Sequence, residues 1–275
     1  TKDNLEEWKQ NVDNVQKLNY KFFYCLHSQR EAIYEKICES LKKNSSQTYR
    51  ITDWYRIVGY RYTLNPLSCV GSLRWIGGRF NYGGAINDRT FPPFPCLYIA
   101  ENYETAYREY NGPKSQLTDS GLSSEELALQ NNKSSTNVRV NGEINYLFDL
   151  TNKDNLKGFV NLVKKFTIAR EIYTMAKRLK LDPPEIAKTP TKVLDTLLKD
   201  DWRKFAVEND LPSNPQILGK ILRDCGFEGV LYPSTKNSNK KCLAIFIENF
   251  ENSSSFVELS GEFPAEVKIS RLDSQ

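Results

Sequence analysis

The chain has 275 residues, a formal net charge of +4 and a single histidine. That length allows one large domain or two small ones, and 39% apolar residues exclude a wholly disordered chain. No apolar run reaches the roughly 18 residues that cross a bilayer, so we expect a soluble protein with no membrane partner. The 38 basic and 34 acidic residues are nearly balanced and spread along the chain, which disfavours direct nucleic-acid binding.

The histidine and the cysteines exclude several kinds of site. A Ser-His-Asp triad, a Cys-His pair or an HExxH zinc site would need His27, which lies in an aromatic, helix-like stretch without those motifs. The cysteines form no CxxC pair and no zinc-like spacing, so we expect no metal site. We expect six free buried thiols in a reducing compartment, the cytoplasm. They are Cys25, Cys38, Cys69, Cys96, Cys225 and Cys242.

The N-terminal segment is predicted to be helical over residues 3–43. Asp3 is a candidate N-cap, and apolar residues recur at spacings of three and four until a polar run at 42–46. We therefore expect residues 1–48 to be a helical extension and residues 49–275 to be the main domain. The apolar stripe of the extension either packs on the main domain or forms a surface for a partner.

Short strands and helices alternate irregularly after residue 49, which predicts an α+β fold. Residues 111–140 are polar and are predicted to be a mobile insertion. Gly226 is predicted to end a helix in the left-handed conformation. Strands are predicted at 54–58, 59–63, 96–100, 144–150, 229–232 and 243–247, and helices at 101–110, 155–181, 191–198 and 216–225.

A glycine-rich loop spans residues 75–84 and contains Arg79 between two glycine pairs. It is not a Walker A loop, because Gly84 is followed by Ala85 and Ile86 rather than by Lys and Ser or Thr, and it lacks the GxGxxG spacing of dinucleotide-binding turns. Glycines allow a close backbone approach to a ligand, and arginine forks onto phosphate. A turn with an exposed arginine explains the loop equally well.

Five further residues are candidates for the same site. Tyr98 lies on the predicted strand 96–100, and Glu109 follows near the end of the next helix. Arg61 and Tyr62 precede the glycine loop, and Ser234 closes a later strand. Each also has a structural explanation, as a core aromatic, a solvated helix residue or a turn former.

Together these motifs resemble the RES-domain family, named for its Arg, Glu and Ser residues. The resemblance covers about residues 54–250 and rests on five segments in order. They are Tyr60-Arg61-Tyr62-Thr63 with Pro66-Leu67-Ser68, Gly71-Ser72-Leu73-Arg74-Trp75 with Gly77-Gly78-Arg79-Phe80-Asn81, the strand of Tyr98 with the helix of Glu109, Asp200-Asp201-Trp202, and Gly229-Val230-Leu231-Tyr232-Pro233-Ser234.

The resemblance implies an ADP-ribosyltransferase-like fold, a split β-sheet with flanking helices. It implies a glycohydrolase or phosphorylase that takes NAD⁺ as its substrate, needs no other cofactor and breaks the nicotinamide–ribose bond. Many family members resemble toxins of bacterial toxin–antitoxin pairs. The partners implied are therefore NAD⁺, an Xre-type helix-turn-helix antitoxin and a second copy of the chain.

The resemblance also implies roles for the candidate residues. Glu109 stabilises the oxocarbenium-like transition state, since nicotinamide leaves as a neutral molecule and needs no general acid. The other expected roles are pyrophosphate binding by Arg79, a second cation from Arg61, walls for nicotinamide and ribose from Tyr62 and Tyr98, and a hydrogen bond to the amide or a ribose hydroxyl from Ser234. A protein ADP-ribosyltransferase using the same pocket and a non-catalytic interaction module stay open as alternatives.

Overall fold

An eight-stranded mixed sheet with flanking helices makes up the described part of the chain, residues 2–43, 48–87, 89–111 and 134–274 of a computed structural model. The fold class is therefore α+β, as predicted. The helices are α1 (Lys2–Ala32), α2 (Tyr34–Lys42), α3 (Tyr103–Asn111), α4 (Lys157–Val163), α5 (Arg170–Arg178), α6 (Pro190–Leu197), α7 (Trp202–Asn209) and α8 (Asn214–Asp224). The strands are β1 (Tyr49–Gly59), β2 (Leu97–Ala100), β3 (Ser135–Ile144), β4 (Leu147–Asp149), β5 (Gly229–Pro233), β6 (Lys241–Ile245), β7 (Phe256–Ser260) and β8 (Arg271–Leu272).

The sheet parts in its middle. Its strand order is β4-β5-β6-β2-β1-β3-β7-β8, and every neighbouring pair is antiparallel except β4 with β5. Strands β1 and β2 are paired at a single position, Tyr55 with Ala100, whereas β1 and β3 pair along most of their length. The two halves of the sheet therefore diverge at the β1–β2 junction and leave room for a cleft.

Alternation along the strands divides the apolar side chains between two cores. On β2, Leu97 and Ile99 pack in one core, while Ala100 packs in the other. On β6, Leu243 packs in the same core as Leu97 and Ile99, and Ala244 packs in the same core as Ala100. The core on the helix side is the larger of these two, and it contains five of the six most deeply buried phenylalanines, Phe80, Phe94, Phe148, Phe227 and Phe246, whereas Phe250 lies in the other core.

The N-terminal segment is two helices rather than one, because the helix is interrupted at Ile33 between α1 and α2. Ile37 and Leu41 of α2 are fully buried in the helix-side core, which the extension therefore helps to build. The start of α1 differs, since Trp8 is 62% exposed and Leu5 is 53% exposed. The division of the chain at residue 48 stays a prediction.

A disulfide joins the extension to the main domain. Cys38 of α2 is bonded to Cys225, the residue after α8, with a Cα–Cα distance of 5.2 Å. The expectation of six free thiols is therefore wrong for this pair. The spacing of 187 residues gave no sign of it, because the pairing depends on how α2 docks against α8. Cys25, Cys69, Cys96 and Cys242 are free.

Two other predicted elements differ from the structure. Residues 59–63 are not a strand, because β1 ends at Gly59 and residues 60–62 form a 3₁₀ turn. The single helix predicted over 155–181 is two helices, α4 and α5. At the break, the Gln29 side chain of α1 donates to the Thr167 carbonyl at 2.8 Å and accepts from the Thr167 N–H at 2.9 Å, which satisfies backbone groups that a continuous helix would pair.

The remaining differences concern β3, β4 and the C-terminal strands. Of the insertion predicted at 111–140, residues 112–133 lie outside the described part, and residues 135–140 belong to β3. The strand predicted at 144–150 is shorter, as β4 covers residues 147–149. Strands β7 and β8 were not predicted. Gly226 has a φ of +87°, as expected for a left-handed helix end. No described helix is both long enough and apolar enough to cross a membrane.

Candidate active site

A cleft of about 230 Å³ opens where the sheet parts between β1 and β2. Strands β1 and β2, helix α3, the glycine loop and the start of α7 surround it. Six charged side chains line the cleft: Arg56, Arg79, Glu109, Asp200, Arg203 and Lys236. Five aromatic side chains line it as well: Tyr55, Tyr98, Tyr110, Trp202 and Tyr232. The cleft therefore combines cations with flat apolar walls and contains one half-buried carboxylate, that of Glu109.

Glu109 is held in a fixed orientation by groups of the hairpin formed by β5 and β6. The Ser234 hydroxyl donates a 2.6 Å hydrogen bond to Glu109 Oε1, and the Cys242 thiol lies 3.8 Å from the same oxygen. Ser234 itself accepts the backbone N–H groups of Lys236 at 3.2 Å and Asn237 at 3.1 Å, so its hydroxyl proton is directed at the carboxylate. Ser234 is not one of the residues that line the cleft. The structure thus brings Ser234 and Glu109 together but gives the serine a supporting position.

Tyr98 supports the glycine loop with its hydroxyl group and faces the cleft with its ring. The hydroxyl accepts the Phe80 N–H at 2.9 Å and donates to Asn81 Oδ1 at 2.9 Å. Burial raises the pKa of the Tyr98 phenol above its usual range, so the group stays protonated and can donate this bond. A Cβ at Gly78 would overlap the Tyr98 hydroxyl, which accounts for glycine at that position.

Two buried amide side chains hold the loop from within. Asn81 Nδ2 donates to the carbonyls of Ser72 at 2.8 Å and Phe94 at 2.9 Å. Gln216 of α8 donates to three loop carbonyls, those of residues 76, 78 and 81, at 2.6, 3.2 and 3.0 Å. Gly77 takes a φ of +89° in this loop, a conformation that favours glycine. The loop is therefore a rigid wall of the cleft.

Arg79 is buried in that wall, with 8% of its surface exposed. Its Nη1 donates to the carbonyls of Leu197 at 2.9 Å and Lys199 at 3.0 Å, and its Nη2 donates to Thr235 Oγ1 at 3.3 Å. These bonds fasten the loop to the end of α6 and to the turn after β5. An exposed turn arginine is therefore excluded, although most of the donors that a phosphate would need are already engaged.

Arg203 presents a guanidinium that the sequence analysis did not single out. It lies over the Trp202 ring at 4.4 Å from the centroid and lines the cleft, and it has no hydrogen-bond or ion-pair partner among the described residues. Burial and the neighbouring Arg79 lower its pKa, while Tyr98 and Glu109 raise it. An arginine stays charged despite such shifts, so Arg203 is a cation with free donors. Its only sequence signal was its place directly after the Asp200-Asp201-Trp202 segment.

Arg61 and Tyr62 do not line the cleft. Because β1 ends at Gly59, the 3₁₀ turn carries both residues away from it, and the Arg61 guanidinium lies over the Tyr62 ring at 5.0 Å from the centroid. The β1 arginine that does line the cleft is Arg56, which donates to the carbonyls of Tyr98 at 3.2 Å and Ser68 at 2.8 Å. The structure therefore does not bring Arg61 and Tyr62 into the cleft, and the β1 arginine that lines it and braces β2 is Arg56.

Two oppositely charged residues form one side of the cleft. Lys236 Nζ lies 2.9 Å from Asp200 Oδ1. Hydrogen bonds from Lys236 and Thr235 and the charges of Lys236 and Arg79 lower the pKa of Asp200 against the opposing effect of burial. His27 lies elsewhere, beside Phe23 and Phe91. Among the described residues, no group of three or more His, Cys, Asp or Glu side chains could hold a metal ion.

No protein-family model matches the chain, and no curated protein matches it. The chain is similar to one in the crystal structure of the M. tuberculosis MbcT-MbcA toxin-antitoxin complex, with 15% sequence identity and a TM-score of 0.49. The match covers 82% of this chain and 90% of that chain. A likeness of this degree says nothing about the reaction, so the resemblance to the RES-domain family rests on the motifs quoted above.

Proposed function

We propose that the chain is an enzyme that cleaves the nicotinamide–ribose bond of NAD⁺. One observation carries the proposal: the Glu109 carboxylate, fixed by the Ser234 hydroxyl at 2.6 Å, shares a cleft with the free guanidinium of Arg203. NAD⁺ has a positively charged pyridinium ring bonded to one ribose, and a negatively charged pyrophosphate elsewhere in the molecule. A cleft with the half-buried carboxylate of Glu109 and separate arginines matches both charges.

The carboxylate suits the cleavage step. As the bond to nicotinamide breaks, positive charge develops on the ribose ring, and a fixed carboxylate stabilises it more strongly than water does. Nicotinamide departs as a neutral molecule and takes both bonding electrons, so no acid is required. The Ser234 bond keeps Glu109 oriented before the substrate arrives, which lowers the cost of reorganisation.

Two arginines of the cleft have different roles in this proposal. Arg79 is committed to three protein acceptors and therefore fixes the wall of the cleft. Arg203, stacked on Trp202, has free donors that can fork onto the pyrophosphate. The rings of Tyr98 and Tyr232 provide flat surfaces for nicotinamide and ribose. This assignment transfers the pyrophosphate role from Arg79 to Arg203.

We propose further that the activity serves a toxin, held inactive by an antitoxin. The ordered motifs that resemble the RES-domain family support this step, since many of its members resemble toxins. Induced expression in a bacterial host tests it: growth arrest accompanied by a fall in cellular NAD⁺ is expected. Normal growth with intact NAD⁺ under strong expression of folded protein would contradict the toxin role.

Product analysis tests the reaction itself. The purified chain is incubated with adenine-labelled NAD⁺, with and without phosphate, and the products are separated by chromatography. Free ADP-ribose indicates hydrolysis, and ADP-ribose 1″-phosphate formed only with phosphate indicates phosphorolysis. Label on protein indicates an ADP-ribosyltransferase and contradicts the proposal, as does full recovery of NAD⁺.

A matched pair of variants on α3 tests the role of Glu109. Glu109→Gln keeps the shape and removes the charge, and should lower turnover by more than about tenfold, since such a group contributes roughly 2–4 kcal/mol. Glu104 lies on the same helix, pairs with Arg108 at 2.8 Å and does not line the cleft. Glu104→Gln should therefore leave turnover within about twofold of the wild-type value. Equal activity of the two variants would refute the role of Glu109.

A further inference from the structure

A second cavity of about 330 Å³ lies between four helices, away from the sheet. Each helix contributes apolar side chains to its lining, among them Phe22 of α1, Phe159 of α4, Val193 of α6 and Ile217 of α8. Its volume is in the range of small-molecule sites, which are concave and mostly apolar with a few polar groups that fix orientation. None of these residues belongs to the cleft between β1 and β2.

One cation lines this cavity with a buried nitrogen that has no hydrogen-bond partner among the described residues. Arg30, in the last turn of α1, has a buried Nη2 that makes no hydrogen bond to any described residue. Its guanidinium contacts the Phe23 ring at 5.8 Å from the centroid, and the adjacent carboxylate of Glu31 lies against His27 at 3.7 Å. Burial lowers the pKa of Arg30, although the guanidinium stays charged. A buried guanidinium nitrogen without an acceptor is costly, so Nη2 calls for an acceptor that the described residues do not supply.

The rest of the lining defines what kind of anion fits. The other charged residues, Glu185, Lys192 and Asp195, are exposed to solvent, so Arg30 is the charged group inside the apolar part. A polyphosphate or a sugar would bring many polar groups and find apolar walls. A planar carboxylate matches the arginine fork, and an apolar body matches Phe22 and Phe159.

We propose that this cavity binds a small monocarboxylic acid with an apolar body, its carboxylate on Arg30 and its body between the helices. The ligand class is that of medium-chain fatty acids and related apolar acids. Arg30 also lines two adjoining cavities, of about 480 and 320 Å³, so that it lies where the three meet. The acid therefore meets the cation at this junction. This binding does not depend on the reaction proposed for the first cleft.

Calorimetric titration of the whole 275-residue chain tests the proposal with two matched probes. Octanoate and 1-octanol have the same chain length and differ in charge. Octanoate should bind at least about tenfold more tightly, because a hydrogen bond to a charged partner is worth roughly twice a neutral one. Equal affinities, or no binding of octanoate at millimolar concentration, would overturn the proposal.

Three variants locate the site. Arg30→Met removes the guanidinium and keeps an apolar stem, and should abolish the preference for octanoate over octanol. Arg178→Met removes an exposed arginine that does not line the cavity and should keep that preference. Glu109→Gln should bind octanoate like the wild type. The proposal for this cavity can therefore be refuted independently of the reaction proposed for the cleft between β1 and β2. An octanoate preference retained in correctly folded Arg30→Met would refute the assignment to Arg30.

Discussion

Replacing Gln216 with leucine tests how the glycine loop is held. Gln216 is fully buried on α8, and its amide is the link between that helix and three carbonyls of the loop. Its oxygen accepts the backbone N–H of Ser213 at 3.0 Å, which completes the capping box at the start of α8. Leucine has a similar volume and neither donates nor accepts, so the substitution removes these bonds while leaving the site filled.

The expected cost follows from the partners that remain. The Ile76 carbonyl still accepts a hydrogen bond from the Gly83 N–H at 3.2 Å, so losing the bond from Gln216 costs little stability there. The Asn81 carbonyl is left buried without another hydrogen-bond partner among the described residues, which costs about 1–3 kcal/mol of stability. The Gly78 carbonyl is only partly buried, so its loss of a partner costs less. Loss of the cap adds about 0.5–2 kcal/mol. We therefore expect Gln216→Leu to lower the free energy of unfolding by about 2–5 kcal/mol.

Urea unfolding at neutral pH, followed by tryptophan fluorescence, measures this difference. Gln10→Leu makes the same substitution at an exposed position of α1 and should change stability by less than about 0.5 kcal/mol. The Gln216 variant should unfold at a lower midpoint with the same dependence on urea. A midpoint equal to that of the Gln10 variant would show that the amide does not hold the loop.

Three further outcomes are expected. Arg203→Met should raise the KM for NAD⁺ at least about tenfold with a smaller change in kcat, and an unchanged KM would remove Arg203 from the pyrophosphate site. Cys38→Ser, which opens the bond to Cys225, should cost roughly 5 kcal/mol because it releases a loop of 187 residues; thermal unfolding unaffected by it would contradict this contribution. Burial raises the pKa of the Cys69 thiol to about 11, so iodoacetamide at pH 8 should label half-exposed Cys25 before buried Cys69. Equal labelling rates of the two cysteines, measured by peptide mass mapping, would refute this order.

Local patterns in the sequence predicted the elements that depend on local interactions. The short strand 96–100 and the helix after it were found because the first is a short continuous apolar run and apolar residues recur every three or four residues in the second. The same signals located α8 and the left-handed residue Gly226 that follows it. In each case the side chains that determine the conformation lie within one or two turns of it.

Predictions failed where a distant side chain determines the backbone. The break between α4 and α5 depends on Gln29, which lies 138 residues from Thr167. The glycine loop depends on Gln216, which lies 140 residues from Ile76. Neither glutamine has a local signal for its distant contact, since glutamine is an ordinary helix residue and the spacing of Ser213 and Gln216 indicates only a helix start. A hydrogen bond over such a distance in the chain is visible only after the helices have been placed.

The division of labour between Arg79 and Arg203 follows from the same physics. A residue that shapes a binding loop must satisfy its own donors within the protein, or it would not hold one conformation without ligand. Arg79 does this with the carbonyls of Leu197 and Lys199. A residue that binds an anion must instead keep its donors free and still be positioned, and stacking of Arg203 on Trp202 achieves both. The conspicuous arginine of the glycine motif therefore holds the wall of the cleft, and the arginine without a motif is the one whose donors are free for an anionic ligand.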